Sequence, residues 1–113
     1  MEYYHNNRFR KSREGLVFLN ERNINPEVIN YLDTKIEKSE IKSILSKLQC
    51  GAIELMRKNE AIYKEHIKGK DLNENQLIDW MIKEPKLIER PILINQNKAA
   101  IGRPVENFNE IIG

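Results

Sequence analysis

The stretch from Glu89 to Phe108, ERPILINQNKAAIGRPVENF, constrains the fold of this chain more than any other segment. Its pattern predicts a strand over 92–94, a polar turn over 95–98 in which asparagine tolerates positive φ, and a second strand over 99–101. Pro104 then stands at the first position of a predicted helix, where the backbone N–H group that proline lacks is not needed. Apolar residues at helical spacing follow it, namely Val105, Phe108, Ile111 and Ile112.

Two arginines flank this predicted hairpin. Arg90 precedes the first strand and Arg103 follows the second. Because an antiparallel hairpin with a short turn brings its ends together, we expect the two side chains to lie close to each other at one end of the sheet. Two adjacent guanidinium groups repel unless an anion lies between them, which favours an oxyanion site. The alternative is a pair of solvated arginines at strand ends.

The N-terminal segment predicts a strand, a basic loop and a helix. Residues 1–5 form the strand, 6–11 the loop that contains Phe9, and the helix runs from about Ser12 to Arg22. The helix should bury Leu16 and Leu19, with Val17 and Phe18 widening the apolar face. The N–H groups at such a helix start attract anions, although an ordinary strand-to-helix connection explains the same pattern.

The middle of the chain predicts one more strand and then a block of helices. A strand over Pro26 to Leu32 would pair in parallel with the first through a right-handed crossover. Apolar residues spaced i, i+3, i+4 and i+7 predict a helix from Lys38 to Leu48, which Gly51 is expected to terminate. The residues that carry this spacing are Ile41, Ile44, Leu45 and Leu48.

Shorter helices are predicted between residue 51 and the hairpin. Residues 51–68 suggest short helices interrupted near Lys58-Asn59. Asn73 and Gln76 have the spacing of a capping box, and Pro85 should stop the helix that they begin. We expect this helix to face the core through three residues, Leu77, Trp80 and Met81.

Composition excludes several classes of protein. Mixed charges with a net charge of only +2 give no support for nucleic-acid binding. There is no apolar run near the ~20 residues that span a bilayer and no signal peptide, so we expect a cytoplasmic protein without a membrane partner. Cys50 is the only cysteine, so an internal disulfide, a CxxC pair and a cysteine-rich metal site are excluded. A lone cysteine is more often a buried apolar residue than a nucleophile.

The order of predicted elements is β-α-β, a block of helices, and then β-β-α. This is the order of an α/β, thioredoxin-like fold: a mixed four-stranded sheet with a helical insertion between the second strand and the C-terminal hairpin. In that fold the X-Pro bond before the third strand is usually cis, and Pro91 stands at that place. We therefore predict a cis Arg90–Pro91 bond.

Four segments together resemble the glutaredoxin-coupled arsenate reductase (ArsC) family. They are YHNNRFRKSREGL at 4–16, LMRKNEAIYKE at 55–65, LIDWMIKEPKLIERPILI at 77–94 and IGRPVENFNEII at 101–112. The resemblance implies a single ArsC-like domain over 1–113. It also implies reduction of arsenate to arsenite with glutathione and glutaredoxin as reductants, without a bound cofactor or metal. The implied ligands are arsenate, phosphate or a sulfate-like oxyanion, with glutaredoxin as a partner.

The resemblance also assigns site residues. In the family, three arginines hold the oxyanion, and they correspond to Arg57, Arg90 and Arg103. The family's nucleophilic cysteine corresponds to Phe9, and the proline two residues earlier corresponds to Asn7. The residues of the loop around the nucleophile correspond to His5, Asn6, Arg8, Ser12 and Arg13.

A phenylalanine at the nucleophile's position separates two hypotheses about function. A phenyl ring cannot be deprotonated and cannot form a mixed disulfide, so the resemblance implies a reductase scaffold without its thiol route. The alternative is a non-enzymatic protein that binds an anion or a partner, such as an Spx-like transcription-linked regulator. The missing CxxC and the modest charge disfavour the Spx-like function.

Overall fold

The computed structural model, which describes residues 1–112, contains a four-stranded mixed sheet. Its strands are β1 (Glu2–His5), β2 (Glu27–Asn30), β3 (Ile92–Asn95) and β4 (Lys98–Ile101), in the order β2-β1-β3-β4. β1 pairs in parallel with β2, whereas the β1–β3 and β3–β4 pairs are antiparallel. The predicted thioredoxin-like fold class is therefore confirmed, with helices inserted between β2 and β3.

The described residues form two compact units. The first contains the sheet and is built from the residues up to Thr34 together with those from Arg90 onward. The second consists of Lys35–Glu89 and is helical. The interpretation of 1–113 as a single domain stays a prediction.

The first helix, α1 (Arg10–Asn20), begins two residues earlier than predicted. It buries Ser12, Gly15 and Leu19, while Val17 is 56% exposed, so the prediction that Val17 widens the apolar face was wrong. The reason is the close approach of α1 to β1: a Cβ atom at Gly15 would overlap the hydroxyl oxygen of Tyr3. The glycine therefore turns toward the sheet, and Val17 faces away from it.

The core of the first unit lies on one face of the sheet. β1 and β3 supply Tyr3 and Leu93, which are both fully buried. α1 supplies Leu19, and the C-terminal segment supplies Phe108, whose ring meets that of Tyr3 edge-on at 6.1 Å between centroids. Apolar burial of this kind contributes most of the stabilisation of a small domain.

The second strand and the hairpin turn differ from prediction in detail. β2 covers only Glu27–Asn30 of the predicted 26–32, because its pairing with β1 ends where His5 meets Asn30. The turn of the hairpin has its positive φ, 58°, at Gln96 and not at an asparagine. β3 itself is buried along Ile92–Ile94, as its apolar run predicted.

The C-terminal segment forms two short helices where one was predicted. A 3-10 helix at Val105–Phe108 is followed by α6 (Asn109–Ile112). Pro104 precedes the 3-10 helix, and the Arg103–Pro104 bond is cis, which the sequence did not predict. Phe108 and Ile111 of the predicted apolar face are buried.

The second unit contains α2 (Lys38–Leu48), α3 (Ala52–Leu55), α4 (Ala61–His66) and α5 (Glu74–Lys83), followed by a 3-10 turn at Pro85–Leu87. α2 has the predicted bounds, and the interruption of the helices near Lys58-Asn59 is present. Gly51 does not terminate α2, however. Gln49 takes the left-handed conformation that ends the helix, with φ 58°, and Gly51 is the N-cap residue of α3.

Helix α5 has the predicted capping box. The Asn73 side chain accepts a hydrogen bond from Gln76 N at 2.8 Å, and the Gln76 side chain accepts one from Asn73 N at 2.8 Å. Leu77 and Met81 are buried as predicted. The third buried residue of the helix is Ile78 and not Trp80, which is half-exposed. Trp80 instead stacks on His66 at 5.2 Å.

Replacement of Asn73 by alanine should lower the free energy of unfolding by about 1 kcal/mol, because it removes the side-chain oxygen that accepts the hydrogen bond from Gln76 N. Chemical denaturation followed by circular dichroism measures the change. Asn75→Ala is the matched control, because Asn75 lies exposed within the first turn of the same helix and accepts neither bond. An equal loss in both variants would show that the cap does not stabilise α5.

Candidate functional site

The two arginines of the hairpin lie together at one end of the sheet. Arg103 Nε donates a hydrogen bond to the carbonyl oxygen of Arg90 at 2.8 Å, and Gly102 N donates to Pro91 O at the same distance. The Arg90–Pro91 bond has the predicted cis configuration. Backbone contacts at the ends of the hairpin thus hold the two arginines beside each other. The two residues differ in solvent exposure: Arg90 is 2% exposed, whereas Arg103 is exposed.

The guanidinium group of Arg90 lies over the ring of Phe9. The distance from Arg90 Cζ to the ring centroid is 3.4 Å. This is a cation–π contact, in which the negative face of the ring stabilises the cation. Phe9 is the N-cap residue of α1 and provides no side-chain cap, so its side chain is free to support the arginine.

The loop before α1 is ordered by its own polar groups. Asn6 N donates to Ser12 Oγ at 3.0 Å, and Asn6 Oδ1 accepts a hydrogen bond from Arg8 N at 3.1 Å. Arg13 Nη1 donates to Asn7 O at 3.2 Å. The structure therefore brings four of the five predicted loop residues into one hydrogen-bonded turn, and the fifth, His5, ends β1 immediately before it.

Burial sets the protonation of two residues in β1. Burial lowers the pKa of His5. A side-chain hydrogen bond with Asn7 opposes this effect in part, and the positive charge of Arg13 adds a smaller lowering. Because the ordinary pKa of histidine is 6.5, His5 is neutral at pH 7. Burial also raises the pKa of Tyr3, so its hydroxyl keeps the proton that it donates to Ser12 O.

Arg57 belongs to the second unit, where it follows α3. Its backbone N–H group donates a hydrogen bond to Leu87 O at 2.7 Å, and 14% of its side chain is exposed. Its Nε lies 3.6 Å from Glu60 Oε2, so this arginine already has a carboxylate beside it. Both residues lie in the connection between α3 and α4, so the helical spacing rule does not predict this pair from the sequence.

Cys50 lies in the second unit, in the turn between α2 and α3. Partial burial raises the pKa of its thiol, and the negative charges of Glu54 and Glu74 raise it further. The thiolate, which is the nucleophilic form, is therefore disfavoured.

Comparison with known proteins identifies the family of this chain. The sequence profile of the ArsC family matches residues 4–111. The chain belongs to the ArsC family. It is 39% identical to an arsenate reductase from Neisseria meningitidis, over 99% of this chain and 97% of the relative. It is 44% identical to the Escherichia coli protein YfgD, over 100% of this chain and 97% of that protein.

Solved structures agree with this assignment. An arsenate reductase from Vibrio cholerae superposes on this ArsC-family chain with a TM-score of 0.93 and 39% sequence identity, covering 99% of this chain and 98% of that structure. Among residues 1–112 no helix is long and apolar enough to cross a membrane. Within the same residues, no three histidine, cysteine or acidic side chains are grouped in a way that could hold a metal ion.

A double-mutant cycle should measure the coupling between Phe9 and Arg90. We expect Phe9→Leu and Arg90→Met to be coupled by about 1–2 kcal/mol in the free energy of unfolding, because the cation is buried. The matched control is the pair of Arg22 and Phe18, in which an exposed arginine lies 3.5 Å from the ring centroid. Its coupling should be smaller. Equal coupling in both pairs would contradict a special role for the buried contact.

Proposed function

We propose that this ArsC-family protein binds a tetrahedral oxyanion such as arsenate, phosphate or sulfate, and does not reduce arsenate through a thiol of its own. The observation that carries the proposal is Phe9 at the N-cap of α1, stacked under the Arg90 guanidinium at 3.4 Å. A side chain without an ionisable group stands where the family resemblance implies the nucleophile. The group expected to hold the anion lies directly against it.

The chemistry of the side chains supports the loss of the thiol route. Attack on arsenate needs a thiolate, which forms a bond to arsenic and is later released as a disulfide with glutathione. Phe9 has no sulfur and no proton to lose. Cys50 is the only thiol in the chain, and its raised pKa makes it a poor nucleophile at neutral pH. Glutathione and glutaredoxin, the reductants that the resemblance implies, have no mixed disulfide at position 9 to resolve.

The arginine pair supports anion binding. The Arg90 guanidinium, stacked on Phe9, places a positive charge at this end of the sheet, and a positive charge favours an anion beside it. Arg103 uses only Nε in a hydrogen bond to described residues, which leaves its two terminal nitrogens for a ligand. Charge-assisted hydrogen bonds contribute about 1.5–3 kcal/mol each before screening by solvent and salt. A dissociation constant from about millimolar to micromolar follows.

Arg57 enters the proposal through the family motif alone. Glu60, 3.6 Å from its Nε, would compete with an anion for the same cation. Neutralising Glu60 should therefore strengthen anion binding if Arg57 contributes to it, whereas it should have no effect if Arg57 only stabilises the second unit.

The first experiment measures arsenate reduction with glutathione, glutaredoxin and the purified chain. We expect no turnover above the rate without protein, because loss of a covalent nucleophile removes many orders of magnitude of rate. Cys50→Ser is the control variant. Turnover by the parent that disappears in Cys50→Ser would make Cys50 the working thiol and overturn this part of the proposal.

The second experiment measures binding of arsenate, phosphate and sulfate by calorimetry at low salt. Arg103→Gln should weaken binding by about tenfold, the equivalent of one charge-assisted contact after screening. Arg22→Gln is its matched control, because Arg22 is also exposed and donates one hydrogen bond to a backbone carbonyl, that of Phe18, at 2.9 Å. Glu60→Gln should strengthen binding severalfold if Arg57 contributes to it, and Glu65→Gln should leave binding unchanged in either case. A parent that binds none of the three anions would disprove the anion site.

A further inference from the structure

The Phe9 ring covers the side of Arg90 that faces the solvent. Arg90 is 2% exposed, whereas Phe9 is 39% exposed, and Arg90 Cζ lies 3.4 Å from the ring centroid. One face of the ring therefore contacts the cation, while the rest of the side chain contacts water. Because so little of Arg90 is exposed, an anion in the solvent meets the ring before it meets the guanidinium group.

The ring and an anion stabilise the same positive charge and therefore compete for it. The face of a phenyl ring is the negative part of its quadrupole, so it stabilises a guanidinium group that lies on it. A phosphate or arsenate ion stabilises the same group through charge-assisted hydrogen bonds. At 3.4 Å there is no space for an oxygen atom between Arg90 Cζ and the ring, so the two partners exclude each other on this face.

The backbone of Phe9 is held in place, but its side chain has no hydrogen bond to keep. Phe9 N donates to Asn6 O at 3.1 Å, and Phe9 O accepts a hydrogen bond from Arg13 N at 3.2 Å. The backbone is extended, with φ −110° and ψ 134°, and an exposed side chain on such a backbone has more than one staggered χ1 rotamer. Rotation of the side chain toward the solvent therefore uncovers Arg90 without breaking a hydrogen bond of the loop.

We propose that Phe9 is an autoinhibitory side chain, whose ring occupies Arg90 until an oxyanion displaces it. This inference rests on the proposed oxyanion function and adds the regulation of that site. Anion binding to Arg90 then costs the cation–π contact, so the affinity is lower than the arginines alone would give. Arg103 is exposed whether or not the ring has turned, and it is the arginine of the hairpin that the anion meets first.

One test measures the cover directly and needs no anion. Phenylglyoxal, a reagent for accessible arginine side chains, is applied to the whole protein, and peptide mass spectrometry follows its reaction. Arg90 should react at least about tenfold faster in Phe9→Ala than in the parent, the equivalent of one cation–π contact. Arg103 is the internal control and should react equally fast in both proteins. Equal reaction rates of Arg90 in the two proteins would overturn the inference.

A second test measures phosphate binding by calorimetry at low salt. Phe9→Ala should bind phosphate about tenfold more tightly than the parent, because the anion no longer has to displace the ring. Phe18→Ala is the matched control: it removes a ring that lies 3.5 Å from another arginine, Arg22, and should leave the affinity unchanged. In an Arg90→Met background, Phe9→Ala should bring no gain. A gain of the same size without Arg90 would contradict the competition.

The outcomes separate this inference from the proposed function. Phosphate binding by Phe9→Ala and not by the parent would support autoinhibition while disproving phosphate binding by the parent. Equal affinities of the two proteins would leave the oxyanion function standing and overturn autoinhibition. Absence of phosphate binding in both proteins would overturn both.

Discussion

The hydrogen bond from the Tyr3 hydroxyl to the carbonyl oxygen of Ser12 joins β1 to α1, and the geometry of the loop between them depends on it. Tyr3 is fully buried against the edge-on ring of Phe108, so its hydroxyl must find a partner inside the protein. Gly15 leaves the space that this hydroxyl needs. Ser12, whose carbonyl accepts this bond, also accepts Asn6 N through its Oγ and so fixes the loop at a second point.

This anchored loop sets the position of Phe9. Phe9, at the end of the loop, turns its ring under Arg90. His5 and Asn6, at its beginning, are buried. The loop gains its order from hydrogen bonds within itself and to α1, and not from a side-chain cap at Phe9. The proposed anion site therefore depends on an ordered turn.

Local signals in the sequence predicted the elements whose causes are local. Helix α2 over Lys38–Leu48 and the capping box of Asn73 and Gln76 follow from spacing within one or two turns, and both are present. The face of α1 was predicted less well, because a buried glycine at position 15 reflects contact with Tyr3, a residue twelve positions earlier in the chain. Apolar spacing alone pointed to Val17, since it carries no information about a tyrosine hydroxyl on a neighbouring strand.

The features of the candidate site also differ in whether neighbouring residues in the sequence determine them. Hairpin geometry was sufficient to predict that Arg90 and Arg103 lie together. The stacking of Arg90 on Phe9 was not predicted, because it joins the two ends of the chain in three dimensions. The contact of Glu60 with Arg57 was not predicted, because both residues lie in the connection between α3 and α4, where the spacing of ion pairs on a helix does not apply.

The pairing of β1 with β3 has a consequence for the order in which the protein is made. Glu2 pairs with Ile94, so nearly the whole chain must leave the ribosome before this pair forms. The segment Lys35–Glu89 is synthesised entirely before β3 and β4, whereas β1, α1 and β2 wait with one edge of β1 unpaired. Contacts of such high sequence separation slow folding and expose a strand edge to other chains in the meantime. During synthesis, that unpaired edge of β1 exposes the nascent chain to aggregation and is a surface that a chaperone could protect.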